Sequence, residues 1–296
     1  MARISKKRFN LRLYILGIVL TALALVGVFT YTLYSDGWRY QTYDTSEHGK
    51  VKFVGKFENN VPASGTIYYS DGSTAQVLSG SFDKVASAET DLTVWKLKIE
   101  YSNGDVYEGQ TVKFLRHGEG KLTYGGGDVY EGSFHFNDME GNGTYTYVSG
   151  DCYVGEFSKN QKHGKGTYTW TAGSDGTYDT YVGEYVTGKR CGMGIYTWAD
   201  GTRYEGEFAE DAKDGKGKIT FPDGAFYEGD FIADTRTGKG IYQWANGDKY
   251  DGEFYKNAIT GMGTYTWIEN GERRDYTGYF ENGKIVLIDE NAPTEE

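Results

Sequence analysis

Cysteine is almost missing from this chain: there are two, Cys152 and Cys191. A secreted scaffold stapled by disulfides carries more. Proline numbers only three, and the 43 glycines follow no Gly-X-Y period, which excludes a collagen triple helix. Leucine and alanine are scarce beyond the first segment, which argues against a helical bundle. Basic charge is scarce too, and unevenly placed. Residues 1–35 hold Arg3, Lys6, Lys7, Arg8 and Arg12 and no acid, so the rest carries 42 acidic against 26 basic groups, a net of −16. Such a body repels phosphate polymers, which excludes nucleic acid as a partner, and it lacks the basic clusters that anionic membrane surfaces attract. What is abundant is aromatic: 27 Tyr, 15 Phe and 6 Trp in 296 residues, enough apolar surface to argue against disorder. These features point to a β-rich, repetitive chain.

The one long apolar run is Leu13–Tyr34, 22 residues without a charge. As a helix it extends about 33 Å, enough to cross a hydrocarbon core of about 30 Å. Tyr14, Tyr31 and Tyr34 lie near its ends, the basic cluster precedes it and Asp36 follows. The positive-inside rule then places residues 1–12 in the cytoplasm and the body on the extracytoplasmic side. Ala22-Leu23-Ala24 has the shape of a signal-peptidase site, but ten mostly apolar residues follow it, which favours an uncleaved signal anchor at 13–34.

Beyond a linker expected at 35–52, the body repeats itself. Tyr-x-Gly occurs at Tyr107/Gly109, Tyr130/Gly132, Tyr153/Gly155, Tyr181/Gly183, Tyr204/Gly206, Tyr227/Gly229 and Tyr250/Gly252, mostly in steps of 23 residues, and again at Tyr276/Gly278. Eleven residues after each of the first seven tyrosines comes Gly-x-Gly, from Gly118/Gly120 to Gly261/Gly263. Two worn copies, from Phe53 and Leu78, occupy 53–106, the array proper spans 107–288, and 289–296 form an acidic tail. With the Tyr as position zero, an aromatic recurs at position four, and bulky residues recur at positions fifteen and seventeen: Tyr168/Trp170, Tyr196/Trp198, Tyr242/Trp244 and Tyr265/Trp267. Period-two aromatics predict two strands per unit, with zero, two and four on one face of the first. Dipeptides such as Asn103-Gly104, Asp200-Gly201 and Asn246-Gly247 predict type I′ hairpin turns at one end of the strands, with longer polar loops such as Ser158–His163 at the other. The glycines leave gaps over which neighbouring rings can lie, and stacked units complete a core that none closes alone. The expected fold is all-β, an elongated antiparallel ribbon of hairpins with about 18 strands, roughly 85 Å long at about 4.8 Å per strand, preceded by one transmembrane α-helix.

These motifs resemble the MORN family (membrane occupation and recognition nexus), with Tyr-x-Gly opening one strand and Gly-x-Gly the next. The likeness covers about Phe53 to Phe280, departing from the pattern in the two worn copies, five extra residues around Ala172–Thr177 and three around Glu272–Arg274. It implies a hairpin array used for binding or scaffolding rather than chemistry.

Catalytic signals are weak. Gly183–Lys189 and Gly278–Lys284 have the Gly-x4-Gly-Lys spacing of a phosphate loop, but Arg190 and Ile285 stand where the Mg²⁺-ligating Ser or Thr belongs. His117 and His163 fall two units apart, too far for one metal, and His48 and His135 complete the set. Cys152 and Cys191 fall at different levels of neighbouring units, against a disulfide. The carboxylates at position one, Glu108, Glu131, Glu205 and Glu228, fit a solvated charged face. No cofactor is expected. The reading is a non-catalytic, single-pass membrane protein whose body binds or scaffolds a protein partner outside the cytoplasm. The Tyr/Trp pairs are its candidate surface, and a cell-wall glycan binder or a cytoplasmic-face scaffold are the alternatives.

Overall fold

The computed structural model describes residues 37–45, 49–82, 93–171, 176 and 178–286. The expected anchor at 13–34, His48 and the acidic tail at 289–296 lie outside the described residues. Among the described residues no helix is long and apolar enough to cross a membrane. The chain divides into two compact units, Met1–Gly125 and Gly126–Glu296.

In the first unit, β1 (Trp38–Thr45), β2 (Gly49–Glu58), β3 (Val61–Tyr68), β4 (Thr74–Phe82), β5 (Val94–Tyr101), β6 (Val106–Val112) and β7 (Leu115–Thr123) form a meander, each strand antiparallel to the next. The segment expected as a linker at 35–52 is therefore mostly strand: β1 pairs along its length with β2, which opens at Gly49. Alternation in β2 buries Val51, Phe53 and Phe57. Phe53 lies over the facing glycines Gly55 and Gly65, so the first worn copy keeps the ring-over-glycine device with a single glycine in its second strand. The second worn copy does not align as its sequence suggests. A register shift between Val77 and Ser79 buries Val77 and leaves Leu78 48 % exposed, so Leu78 does not take the place of the unit's opening tyrosine.

The second unit continues the pattern with β8 (Val129–His135), β9 (Asp138–Thr146), β10 (Cys152–Ser158), β11 (Gln161–Thr169), β12 (Thr180–Val186), β13 (Lys189–Thr197), β14 (Arg203–Ala209), β15 (Ala212–Thr220), β16 (Phe226–Ile232), β17 (Thr235–Gln243), β18 (Lys249–Tyr255), β19 (Ala258–Glu269), β20 (Glu272–Glu281) and β21 (Lys284–Val286). The described strands outnumber the 18 expected by three: β1 precedes the first copy, and β20 and β21 form the half-unit after the last.

The two kinds of turn are exchanged relative to the sequence expectation. At the Asp-Gly and Asn-Gly end, Tyr147 N–H donates to Asp151 C=O at 2.9 Å and Gly150 N–H to Tyr147 C=O at 2.8 Å, and the same pair of bonds recurs from Trp198, Phe221 and Trp244. Only the glycine has positive φ (94° at Gly150), so these are three-residue loops, a type I turn closed by a glycine bulge. The two-residue turns with both φ positive lie at the other end, where longer loops were expected: Lys159-Asn160 (48°, 66°), Glu210-Asp211 (49°, 74°) and Lys256-Asn257 (48°, 69°). An Asn or Asp in second place suits this geometry, since a short polar side chain tolerates the left-handed region better than others do. The three extra residues near Glu272 lengthen the β19–β20 hairpin, which closes on Asn270-Gly271 with Glu269 opposite Glu272.

Gly-x-Gly marks a bulge. Between β10 and β11, Gly155 faces Gly166 but Glu156 faces His163, so Gly164 and Lys165 lack partners on that side while still pairing with β12. The Glu156 carboxylate fills the gap and accepts from Lys165 N–H at 3.0 Å. Glu207 and Asp230 do the same for Lys216 and Lys239 at 2.8 and 3.2 Å.

Candidate functional site

The aromatic face is built in layers from the glycines upward. Tyr107, Tyr130, Tyr153, Tyr181, Tyr204, Tyr227 and Tyr250 are all fully buried. Each ring lies flat over a facing glycine pair: a Cβ on Gly155 would meet the Tyr153 hydroxyl and Gly166 Cα at 2.6 Å. The other repeat-defining glycines are used in the same way. Gly109 faces Gly120, Gly132 faces Gly143 and Gly252 faces Gly263. A Cβ on Gly109, Gly132 or Gly252 would fall on the Cα of its partner and on the hydroxyl of its own unit's tyrosine. These three glycines therefore serve packing: the rings of Tyr107, Tyr130 and Tyr250 cover them on the aromatic side. Gly183, Gly206 and Gly229 face Gly194, Gly217 and Gly240 in the same register. The tyrosine hydroxyl donates to a backbone carbonyl at the bulge, Tyr153 to Glu156 at 2.9 Å and Tyr204 to Glu207 at 2.8 Å. That bond explains why position zero is Tyr rather than Phe. Burial raises these phenols, to about 12 for Tyr181 and Tyr227 and further for Tyr153 and Tyr204.

The position-four ring stands edge-on over two tyrosines. Phe157 meets Tyr153 at 5.1 Å and Tyr130 at 5.0 Å, both T-shaped, and Phe208 joins Tyr204 to Tyr181 in the same way. Such pairs add about 0.5–1.5 kcal/mol each beyond their buried area. Position nine then supplies a cation above the rings in four successive units, Lys162, Arg190, Lys213 and Arg236, with centroid distances of 4.5–5.9 Å.

The predicted Tyr/Trp pairs lie beside this core and form a zigzag of ring contacts. Tyr168 meets Trp170 at 4.4 Å, Trp170 meets Tyr196 at 5.2 Å and Tyr196 meets Trp198 at 4.6 Å. Further along, Tyr242 meets Trp244 at 4.8 Å, Trp244 meets Tyr265 at 5.5 Å and Tyr265 meets Trp267 at 5.6 Å. Tyr168 is buried and the other seven rings are half-buried. Sequence reasoning missed three members, Tyr145, Tyr147 and Phe221, which extend the two runs. Ile219 holds position fifteen between the runs. Position fifteen also carries a hydroxyl clamp: Tyr145, Tyr196 and Tyr265 donate to Asp128, Asp179 and Asp248 at 2.6–2.8 Å. The same carboxylates accept from a backbone N–H across the turn, Val148 to Asp128 at 2.8 Å and Ala199 to Asp179 at 2.9 Å.

A third set of polar groups locks neighbouring units. In four of the two-residue turns the second residue reaches back to position nine of the unit before: Asn160 accepts from Met139 N–H at 2.8 Å, Asp211 from Arg190 at 2.9 Å, Asp234 from Lys213 at 3.0 Å and Asn257 from Arg236 at 2.9 Å. The sequence signal was there, an Asn or Asp seven residues after Tyr in most units, but it reads as loop polarity.

The opposite face carries the position-one carboxylates, exposed as expected. A shallow 610 Å³ groove there is lined by Glu205, Lys216, Lys218, Glu228, Lys239 and Asp251 over the glycine pairs of Gly206 and Gly229. Its charges alternate and pair internally, Lys218 with Glu228 at 3.1 Å. Cys152 and Cys191 are free thiols. Among the described residues no three His, Cys, Asp or Glu side chains are placed to hold a metal ion.

Two strands per unit, a tyrosine laid over paired glycines and a bulge closed by a carboxylate define a β-hairpin repeat protein. The MORN repeat family model matches residues 107–129, 130–152, 153–175, 181–203, 204–226, 227–249 and 250–271, more than half of the chain, and the chain belongs to that family. A comparison with curated proteins finds no match. Among solved structures, a point mutant of the TCP10 domain of Danio rerio CPAP is 14 % identical over 73 % of this chain and 92 % of its own, with a TM-score of 0.29. A streptogramin B lyase is 13 % identical, covering 83 % and 85 % with a TM-score of 0.16. A catalytically inactive mutant of virginiamycin B lyase from Staphylococcus aureus, with quinupristin, is 11 % identical, covering 81 % and 88 % with a TM-score of 0.17. At such TM-scores these likenesses carry no argument about fold or activity.

Proposed function

We propose that this chain is a non-catalytic, membrane-anchored MORN-repeat scaffold that meets a protein partner of the cell envelope with the aromatic ladder of its second unit. The observation that carries this reading is the division of labour among the rings. Positions zero and four are spent on the core, whereas seven of the eight Tyr/Trp side chains singled out from the sequence keep part of their surface in solvent. The recurring carboxylates are occupied with backbone N–H groups and tyrosine hydroxyls, which gives them a structural task in place of acid–base chemistry. Anchoring rests on the 22-residue uncharged run at Leu13–Tyr34, and the extracytoplasmic orientation on the basic residues ahead of it.

Protease treatment of intact cells carrying a C-terminal tag tests the orientation. Loss of the tag, with a cytoplasmic control intact, supports an outward body; a tag that persists until lysis makes the chain a scaffold at the inner face. Crosslinking from Trp198 and Trp267 tests the surface, and crosslinks confined to the opposite face refute it.

A second reading, a cell-wall glycan as the ladder's ligand, is favoured by the ring chemistry itself. Half-exposed Trp and Tyr faces suit sugar rings, and retention on insoluble wall polymer, lost on changing Trp170 and Trp198 to Leu, tests it.

A further inference from the structure

The four cations over the aromatic face are not equivalent. Arg190 donates Nε to Asp211 Oδ1 at 3.3 Å and Nη2 to the Asp211 carbonyl at 2.6 Å. Lys213 pairs with Asp234 at 2.9 Å. Arg236 makes the Arg190 contacts again, Nε at 3.4 Å and Nη2 at 3.1 Å, but its partner is Asn257. The geometry is kept and the countercharge is gone. Lys162 has Gly188 at its clamp position, so Arg236 is the one of the four that keeps the side-chain clamp with a neutral group.

This arginine opens onto a recess of 300 Å³ lined by Tyr242, Trp244, Phe254, Ile259 and the amide-bearing Asn257 and Asn282. No carboxylate lines it. The next unit puts Ile259 at position nine, so no second cation reaches in. The volume sits at the small end of ligand pockets, about 300–1,000 Å³, and the lining has their usual character: aromatic walls with a few convergent polar groups.

We propose that this recess is a subsite for one acidic sugar residue of a glycan, its ring against Trp244 and its carboxylate on the Arg236 guanidinium. The aromatic wall selects a ring with an apolar face. The two Asn side chains supply donors and acceptors for hydroxyls. Arg236, already oriented by Asn257, supplies a charge-assisted contact without having to be ordered on binding. The inference rests on the ladder being a glycan-recognition surface and adds to it the place and the charge of the ligand.

The test uses the full chain in nanodiscs, titrated calorimetrically with a β-1,4-linked glucuronic acid trimer and with cellotriose, which differ only at C6. The acidic trimer is expected to bind about tenfold more tightly or better, the range of one hydrogen-bonded charge pair. Asn257→Asp is the decisive variant. It restores the countercharge found beside Arg190 and Lys213, at a position where the fold already accepts Asp twice. It is expected to erase the preference for the acidic trimer with no change in urea midpoint, and Trp244→Leu is expected to weaken both trimers. Equal binding of the two trimers, an Asn257→Asp variant that keeps the preference, or binding of neither trimer overturns the subsite. Wall-polymer retention that survives such a result, and still depends on Trp170 and Trp198, leaves the ladder reading standing; loss of both removes the two together.

Discussion

Gly166→Ala puts the central packing device to a direct test. A Cβ at Gly166 would fall on the Tyr153 ring, at 2.5 Å from its Cζ, closer than Cβ atoms approach any neighbour. The ring cannot step aside. It is wholly buried, meets Phe157 at 5.1 Å and Tyr185 at 5.2 Å edge-on, and its hydroxyl is bonded at the bulge. Overpacking a core of this kind costs about 1–3 kcal/mol. Tilting the ring also gives up the hydroxyl bond, about 0.5–1.5 kcal/mol, and part of two aromatic pairs. A loss of about 3 kcal/mol follows. In a repeat array it falls on one unit and its neighbours, so the assay is hydrogen exchange of the β10–β12 amides alongside urea unfolding. Gly126→Ala is the control, since nothing lies within 4 Å of its Cβ and its φ is not positive. It should stay within about 0.5 kcal/mol of the parent, as surface changes do. A Gly166→Ala protein as stable as the Gly126→Ala control would refute the ring-over-glycine account.

Asp151→Ala removes the acceptor for Thr171 N–H at 2.8 Å and for the Tyr168 hydroxyl at 3.2 Å; a loss of about 1–3 kcal/mol in urea unfolding is expected, and an unchanged midpoint would show that the turn clamp is idle. Asn160→Ala loses both the bond from Met139 N–H and a residue tolerant of φ +66°, so Asn160→Gly should recover the backbone share, about 1–2 kcal/mol, and an Ala variant equal to Gly would refute the strain argument. In alkali, burial keeps the Tyr181 and Tyr227 phenols neutral to about 12 in the folded chain, whereas unfolded phenols ionise near 10. The unfolded state then binds fewer protons, so stability holds below about pH 10 and falls from there towards 12. Phenolate absorbance at about 295 nm should rise for these rings only together with loss of the β signal in circular dichroism; full titration at about pH 10.5 with the fold intact would contradict the burial.

The architecture was legible because its signals are periodic. Tyr-x-Gly and Gly-x-Gly fix the strands, the facing glycines and the buried rings, and each survives into the structure. What the periodicity left open was the use of each glycine: Gly109, Gly132 and Gly252 carry the same motif as Gly206 and Gly229, yet only the last two border the groove. The turns were misassigned because Asn-Gly and Asp-Gly serve two geometries. Pairing of Tyr147 with Asp151 makes a three-residue loop that needs one left-handed residue, and only the bonding partners distinguish it from a type I′ turn. The carboxylates behind the bulges were invisible for a different reason. Glu156, Glu207 and Asp230 look like ordinary exposed acids until the register shift leaves a backbone N–H for each to accept. Leu78 failed as a repeat landmark because it is the residue skipped in the register shift between Val77 and Ser79 and faces outward, and sequence alignment does not register which face a side chain takes.

In an array of this kind, residues that recur hold the fold, and recognition must be sought where units differ. The bulge carboxylate and the buried tyrosine repeat from unit to unit and leave nothing to distinguish one place along the sheet from another. Position fifteen changes to Ile219 and splits the ladder into two runs. Position nine runs from Met139 through Lys162, Arg190, Lys213 and Arg236 to Ile259, while its clamp alternates between Asn, Gly and Asp. Each change alters charge or shape at a place whose backbone stays the same. Arg236 with Asn257 and Arg190 with Asp211 are the sharpest such pair, two guanidiniums in one geometry and two electrostatic settings. On the proposed reading, a partner that selects one level of the ladder has to read differences of this size, so the variable positions of the second unit, rather than its repeated ones, are where substitutions should change its specificity.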